Sequence, residues 1–135
     1  MANVYLSALE GLLLGTWDLM TADVACVALT TGTTYDSGDE FLADIDDFQV
    51  GDLTGLITID SVTGGLVTST ASIPLTGIGD GTLVVAIATY IETGSPATSP
   101  LLCWENRKAD LSALSFTGTG NDLLIEFPAG KIFSI

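Results

Sequence analysis

Thr82-Leu83-Val84-Val85-Ala86-Ile87-Ala88-Thr89-Tyr90-Ile91-Glu92 is the stretch that decides the architecture. In an extended chain Leu83, Val85, Ile87 and Ile91 share one side, and Val84, Ala86, Ala88 and Tyr90 share the other. Both sides are apolar, which predicts a strand covered on two faces at the centre of a sheet. Val24 to Leu29 repeats the pattern. Leu56 to Val62 differs: Ile57 and Ile59 alternate with Leu56, Thr58 and Asp60, as in a half-buried strand, and Gly64-Gly65 then breaks the chain as a hairpin turn does. Ser72 to Thr76 is a weaker strand, because Pro74 belongs on an edge or at a bulge. Leu101 to Glu105 follows a loop rich in Gly, Ser and Pro, and Leu123 to Phe127 with Ile132 to Ile135 reads as a closing pair across Pro128-Ala129-Gly130. Short strands punctuated by turn residues predict a mainly β fold, an antiparallel β-sandwich or barrel with one short N-terminal helix.

That helix is placed at residues 1–15. Tyr5, Leu9, Leu12 and Leu13 fall near one stripe, Asn3, Ser7 and Glu10 lie opposite, and Gly15 is positioned as the C-terminal cap. Leu14 falls on the polar side, where the following loop or another subunit would cover it. The rest, residues 22–135, forms the β-rich body of a single domain spanning 1–135. Between them, Asp39-Glu40 followed by Phe41, Leu42 and Ile45 predicts one short helical turn.

The 135 residues suffice for one core without staples. Seventeen acids against three bases give a net charge of −14, with no histidine. The missing imidazole removes the usual general base, the Ser-His-Asp triad and the commonest metal ligand. The charge opposes nucleic-acid binding, which needs cations to displace phosphate counterions. Apolar residues make up 47% and charged residues only 15%. A mean hydropathy of +0.54 is high for a lone molecule in water. It favours an assembly in which some apolar surface is hidden in an interface. Cys26 and Cys103 lie in apolar runs as small buried hydrophobes, with a disulfide between them left open. The opening residues lack the basic start of a signal peptide, and no stretch is apolar enough to span a membrane, so synthesis in a reducing cytoplasm is expected.

Little in the sequence points to catalysis. Asp36, Asp39, Glu40, Asp44, Asp46 and Asp47 put six acids in twelve residues without a cation among them. Three readings stand: a solvated loop, docking on a basic surface, or calcium held by Asp44, Asp46 and Asp47, whose spacing matches no calcium motif. Gly77-Ile78-Gly79-Asp80-Gly81 lacks both the glycine spacing and the lysine of a phosphate loop. No catalytic, cofactor or metal residue is therefore assigned. Trp17 and Trp104 are either core residues or interface anchors, since tryptophan buries a large area and keeps a donor. Arg107 and Lys108, two of the three cations, either pair with the acidic loop of the same or a neighbouring subunit or sit in a solvated turn.

Three segments carry a resemblance. The first runs from the helix into Leu12-Leu13-Leu14-Gly15-Thr16-Trp17-Asp18 and Asp23-Val24-Ala25-Cys26-Val27-Ala28-Leu29, continuing at Tyr35 and Glu40-Phe41-Leu42-Ala43-Asp44-Ile45. The second is Tyr90-Ile91-Glu92-Thr93-Gly94-Ser95 leading to Thr98-Ser99-Pro100-Leu101-Leu102. The third is Ile125-Glu126-Phe127-Pro128-Ala129-Gly130-Lys131-Ile132-Phe133-Ser134-Ile135. Their order and spacing resemble a family of small, head-associated virion structural proteins of tailed bacteriophages. The likeness spans most of the chain and is thinnest from Gly51 to Thr82. It implies a non-enzymatic capsid decoration (cement) protein on the outside of the head, a homotrimer whose partner is the major capsid protein. Tail, neck or fibre location is the alternative within that class. A module binding host-surface glycan through Trp17, Trp104 or Tyr35 is the alternative outside it. The residues expected at an interface are Leu14, Trp17, Asp44, Asp46, Asp47 and Trp104.

Overall fold

The computed structural model of the chain describes residues 3–69, 72–108, 110–127 and 130–134. In chain order its elements are β1 (Asn3–Val4), α1 (Leu6–Leu13), β2 (Val24–Leu29), β3 (Gln49–Val50), β4 (Ser61–Thr63), β5 (Leu66–Thr68) and β6 (Ile73–Leu75). There follow β7 (Leu83–Val84), β8 (Ala86–Ile91), β9 (Leu101–Glu105), β10 (Phe116–Thr117), β11 (Leu123–Ile125) and β12 (Lys131–Ser134). Two single 3-10 turns, Leu42–Asp44 and Asp46–Phe48, lie between β2 and β3. The chain is mainly β, and every strand pair is antiparallel.

The two unbroken apolar runs are the heart of the main sheet, whose order is β1-β9-β8-β2-β3. β2 and β8 pair along their whole length, from Val24 opposite Ile91 to Leu29 opposite Ala86. All six residues of each strand are buried. Burial of alternate residues on both sides requires cover on both faces, as the sequence pattern demanded. The run that decides the fold is interrupted once: Val85 separates β7 from β8 and donates its N–H to the Leu29 carbonyl at 2.9 Å. β7 then turns away to pair with β10.

Gly64 and Gly65 make the β4–β5 turn with φ of 59° and 79°. Two successive left-handed residues match the twist of a two-residue hairpin, and glycine adopts that conformation without a steric cost. Ile57 and Ile59 are buried while Leu56, Thr58 and Asp60 are exposed, so the alternation is as expected. The hydrogen-bonded strand, however, begins only at Ser61. Residues 56–60 touch their neighbours at single points, Ile57 N–H to the Val24 carbonyl at 2.7 Å and Asp60 N–H to the Thr68 carbonyl at 2.8 Å. Pro74 is exposed between buried Ile73 and Leu75, in a strand with one partner, where its missing N–H is tolerated.

Two expectations are corrected. The closing pair does not form: β11 pairs with β6, and β12 pairs with β5. Each of these late strands finds a partner 48 or more residues upstream, a choice made by tertiary packing rather than by the nearest turn. Pro128, Ala129 and Ile135 lie outside the described residues, as do the first two residues of the 1–15 helix. That helix is the second correction. It spans only Leu6–Leu13, because Asn3 and Val4 are taken into the main sheet opposite Trp104 and Cys103. Its buried residues are Ala8 and Gly11, the helix packing on β9 and Gly11 meeting the Trp17 ring, while Leu13 points to water at 78% exposure. Gly15 does end it as expected. With φ of 69° it donates to the Leu12 carbonyl at 3.2 Å, and Thr16 donates to the Gly11 carbonyl at 2.8 Å, the paired bonds of a Schellman cap.

Candidate functional site

Trp17 follows the Schellman cap and packs back on the helix it has just left. A β-carbon on Gly11 would lie 2.7 Å from the indole carbons, so glycine is what admits the ring. Half-buried, Trp17 forms a wall between two surface clefts. The larger, about 310 Å³, is lined by Ser7, Glu10, Leu14, Trp17, Glu40 and Phe41, with Pro100 and Gly11 at its base. The smaller, about 200 Å³, runs from Leu12 and Trp17 to Met20, Val62 and Val67. Beside them the helix exposes Leu6 at 58% and Leu14 at 73%. Leu6, Leu13, Leu14 and Met20 are large apolar side chains open to water, with the exposed Glu10 among them on the helix.

Leu14 and Trp17, two of the residues expected at an interface, thus meet in one cleft. Trp104 does not join them. It is buried within the chain, with Tyr35 beside it at a centroid distance of 6.1 Å and Tyr5 next in line, 5.2 Å from Tyr35. This is a correction: Trp104 belongs to the core and offers no face to a partner or a glycan. Tyr35 is anchored by donating its hydroxyl to the Val4 carbonyl at 2.7 Å. The Tyr5 hydroxyl and the Trp104 Nε1 are buried with no hydrogen-bond partner, as is Ser7 Oγ at the cleft.

The acidic loop is organised by its own backbone. Asp44 accepts from the N–H groups of Glu40 and Phe41, both at 2.9 Å, and so caps the Leu42–Asp44 turn. Asp36 accepts from Gly38 N–H at 2.9 Å. Partial burial, reinforced by the Asp36 and Asp44 carboxylates, raises the pKa of Asp39. Asp46 is half-buried and Asp47 exposed. Among the described residues no three acidic, histidine or cysteine side chains converge as a metal site requires.

The two cysteines flank Thr89 across three neighbouring strands, with Cys103 Sγ 3.2 Å and Cys26 Sγ 3.8 Å from its hydroxyl. Both thiols are free and buried. Two strand spacings put their Cα atoms about 9.6 Å apart, beyond the reach of a disulfide. Burial pushes both thiols up to about 12, which keeps them protonated and unreactive.

Residues 106–108 and 110–114 form an exposed arm, where the sequence left Arg107 and Lys108 either paired with the acidic loop or in a solvated turn. Arg107 bridges Ala113, and the Arg107 guanidinium donates to the Leu111 carbonyl at 3.2 Å. Leu111, two-thirds exposed at the tip, sits in the left-handed region with φ of 65°. Glu40 was read only as one acid of the cluster and Phe41 only as part of a short helical turn, and Leu6 and Leu111 were not singled out by the sequence. Among the described residues no helix is long and apolar enough to cross a membrane. No protein-family model, no curated protein and no solved structure matches this chain.

Proposed function

We propose that this chain is a bacteriophage virion structural protein, a decoration protein bound to the outer surface of the head between capsomers, and not an enzyme. The single observation that carries the reading is a set of large apolar side chains left open to water on and just after the helix. Leu6, Leu13, Leu14 and Met20 are exposed in a chain with few charges, Leu14 lining the larger Trp17 cleft and Met20 the smaller. Such a surface is suited to burial against copies of the chain and against the major capsid protein. The resemblance of the Leu12–Asp18, Tyr90–Leu102 and Ile125–Ile135 segments to small head proteins supplies the setting.

The mechanism is thermodynamic. A homotrimer touching several neighbouring capsomers binds multivalently, so modest contacts sum to a tight attachment. Binding the assembled lattice in preference to its separated subunits stabilises that lattice by linkage and opposes the pressure of packaged DNA. An exterior location suits a charge of −14, because no contact with the genome is needed. The test is to heat particles assembled with and without this chain and follow DNA release. Release at lower temperature without the chain, restored by adding it back, is expected. Identical release curves would overturn the reading.

A further inference from the structure

We propose that the arm carrying Arg107, Lys108 and Leu111 of one copy docks in the Trp17 cleft of the next, a head-to-tail contact between copies of this chain; the proposal rests on the self-assembly put forward above. The cleft has aromatic walls, Trp17 and Phe41, and two exposed carboxylates on its rim, Glu10 and Glu40, with no cation among the residues that line it. Ser7 Oγ, buried without a partner, adds a hydrogen-bonding group there. Aromatic faces next to carboxylates recognise a cationic side chain that carries an apolar neighbour.

The chain has only three cations, and two of them, Arg107 and Lys108, stand exposed on the arm beside two carboxylates, Asp110 and Glu105, the latter accepting the Arg107 N–H at 2.7 Å. The arm is braced for presentation. Leu114 donates to the Asn106 carbonyl at 2.7 Å and Lys108 to the Ser112 carbonyl at 2.9 Å, while the guanidinium holds the tip from the side. Leu111 is kept outward in a backbone conformation that leucine rarely adopts. The arm cannot serve its own cleft. It leaves the Glu105 end of β9, whereas Pro100 of the cleft adjoins the Leu101 end, about 17 Å away along five extended residues. A contact between two different patches is heterologous, and it closes into a ring when the rotation permits, as a trimer requires.

Light scattering at tens of micromolar tests the contact on five proteins: the unaltered chain, Lys108→Glu alone, Arg107→Glu/Lys108→Glu, Glu10→Lys/Glu40→Lys, and the quadruple variant. All four positions are exposed, so circular dichroism should report unchanged folds; because Arg107→Glu also removes the guanidinium bond to the Leu111 carbonyl, Lys108→Glu alone, which leaves that bond in place, should weaken association in the same direction. Like charges facing each other should weaken association on the order of 100-fold in either double variant. The quadruple variant, with both signs reversed, should recover the original mass. Association of the unaltered chain should weaken as sodium chloride is raised. Double variants that assemble like the unaltered chain would overturn the arm contact while leaving self-assembly standing. A quadruple variant that stays dissociated, or salt-independent association, would also overturn the contact. A monomeric unaltered chain would overturn self-assembly and the contact together.

Discussion

Trp17 lies against Gly11 so closely that a β-carbon on residue 11 would fall 2.7 Å from both Cε3 and Cζ3 of the indole. The helix face, the cap and the cleft wall depend on that one contact. Gly11→Ala gains about 1 kcal/mol of helix propensity but forces the indole out of its seat, an overpacking cost of about 1–3 kcal/mol. A net loss of about 1 kcal/mol in urea unfolding is expected, with Trp17 emission shifted to the red. Unchanged stability and emission would show that the ring is not held there.

Tyr5 and Tyr35 stack on each other yet should answer oppositely to loss of the hydroxyl. Tyr35 donates to the Val4 carbonyl, so Tyr35→Phe removes a bond and should cost about 1 kcal/mol. The Tyr5 hydroxyl is buried without a partner, so Tyr5→Phe discards a desolvated polar group and should be neutral or stabilising. Chemical denaturation of the two variants checks the sign of each.

Alkali should unfold the protein early. Cys26 and Cys103 are raised by burial from 9.0 to about 12, so above pH 9 the unfolded chain loses thiol protons that the folded chain retains. Their contribution is fully present below pH 9 and falls away as pH rises to about 12. Burial raises Tyr5 and Tyr90 as well, in the same direction. The urea midpoint should decline across that window, and a thiol reagent at pH 8 should label neither cysteine until the chain unfolds.

These thiols show how far the sequence could be read. Their burial was legible, because β2 and β9 are apolar runs, but their separation by Thr89 depends on strand order. β2, β8 and the Gly64-Gly65 turn were likewise legible, since continuous hydrophobicity and paired glycines are local signals. The partners of β11 and β12 were not, because pairing across 48 or more residues leaves no local trace. The face of α1 was misjudged for a physical reason: large apolar residues suggest the buried side, whereas the small Ala8 and Gly11 are the buried ones, Gly11 under the Trp17 ring, and Leu13 is turned outward. At the candidate site, Leu14 and Trp17 were anticipated, but Glu40 and Phe41 reach the cleft only through the fold, and Trp104 turned inward.

Exposed leucines should matter for attachment more than for folding. Leu6→Glu/Leu13→Glu should leave the thermal midpoint within a few degrees, since surface changes away from special features cost about 0.5 kcal/mol or less. The same variant should fail to co-sediment with heads that the unaltered chain decorates. Retained co-sedimentation would place the docking surface elsewhere.

Cryo-electron microscopy of the intact virion tests the central claim most directly. The account predicts density for this chain on the outer face of the head, at three-fold positions between capsomers, repeated over the whole shell. Density confined to the tail, or a particle that does not contain the chain at all, would contradict it.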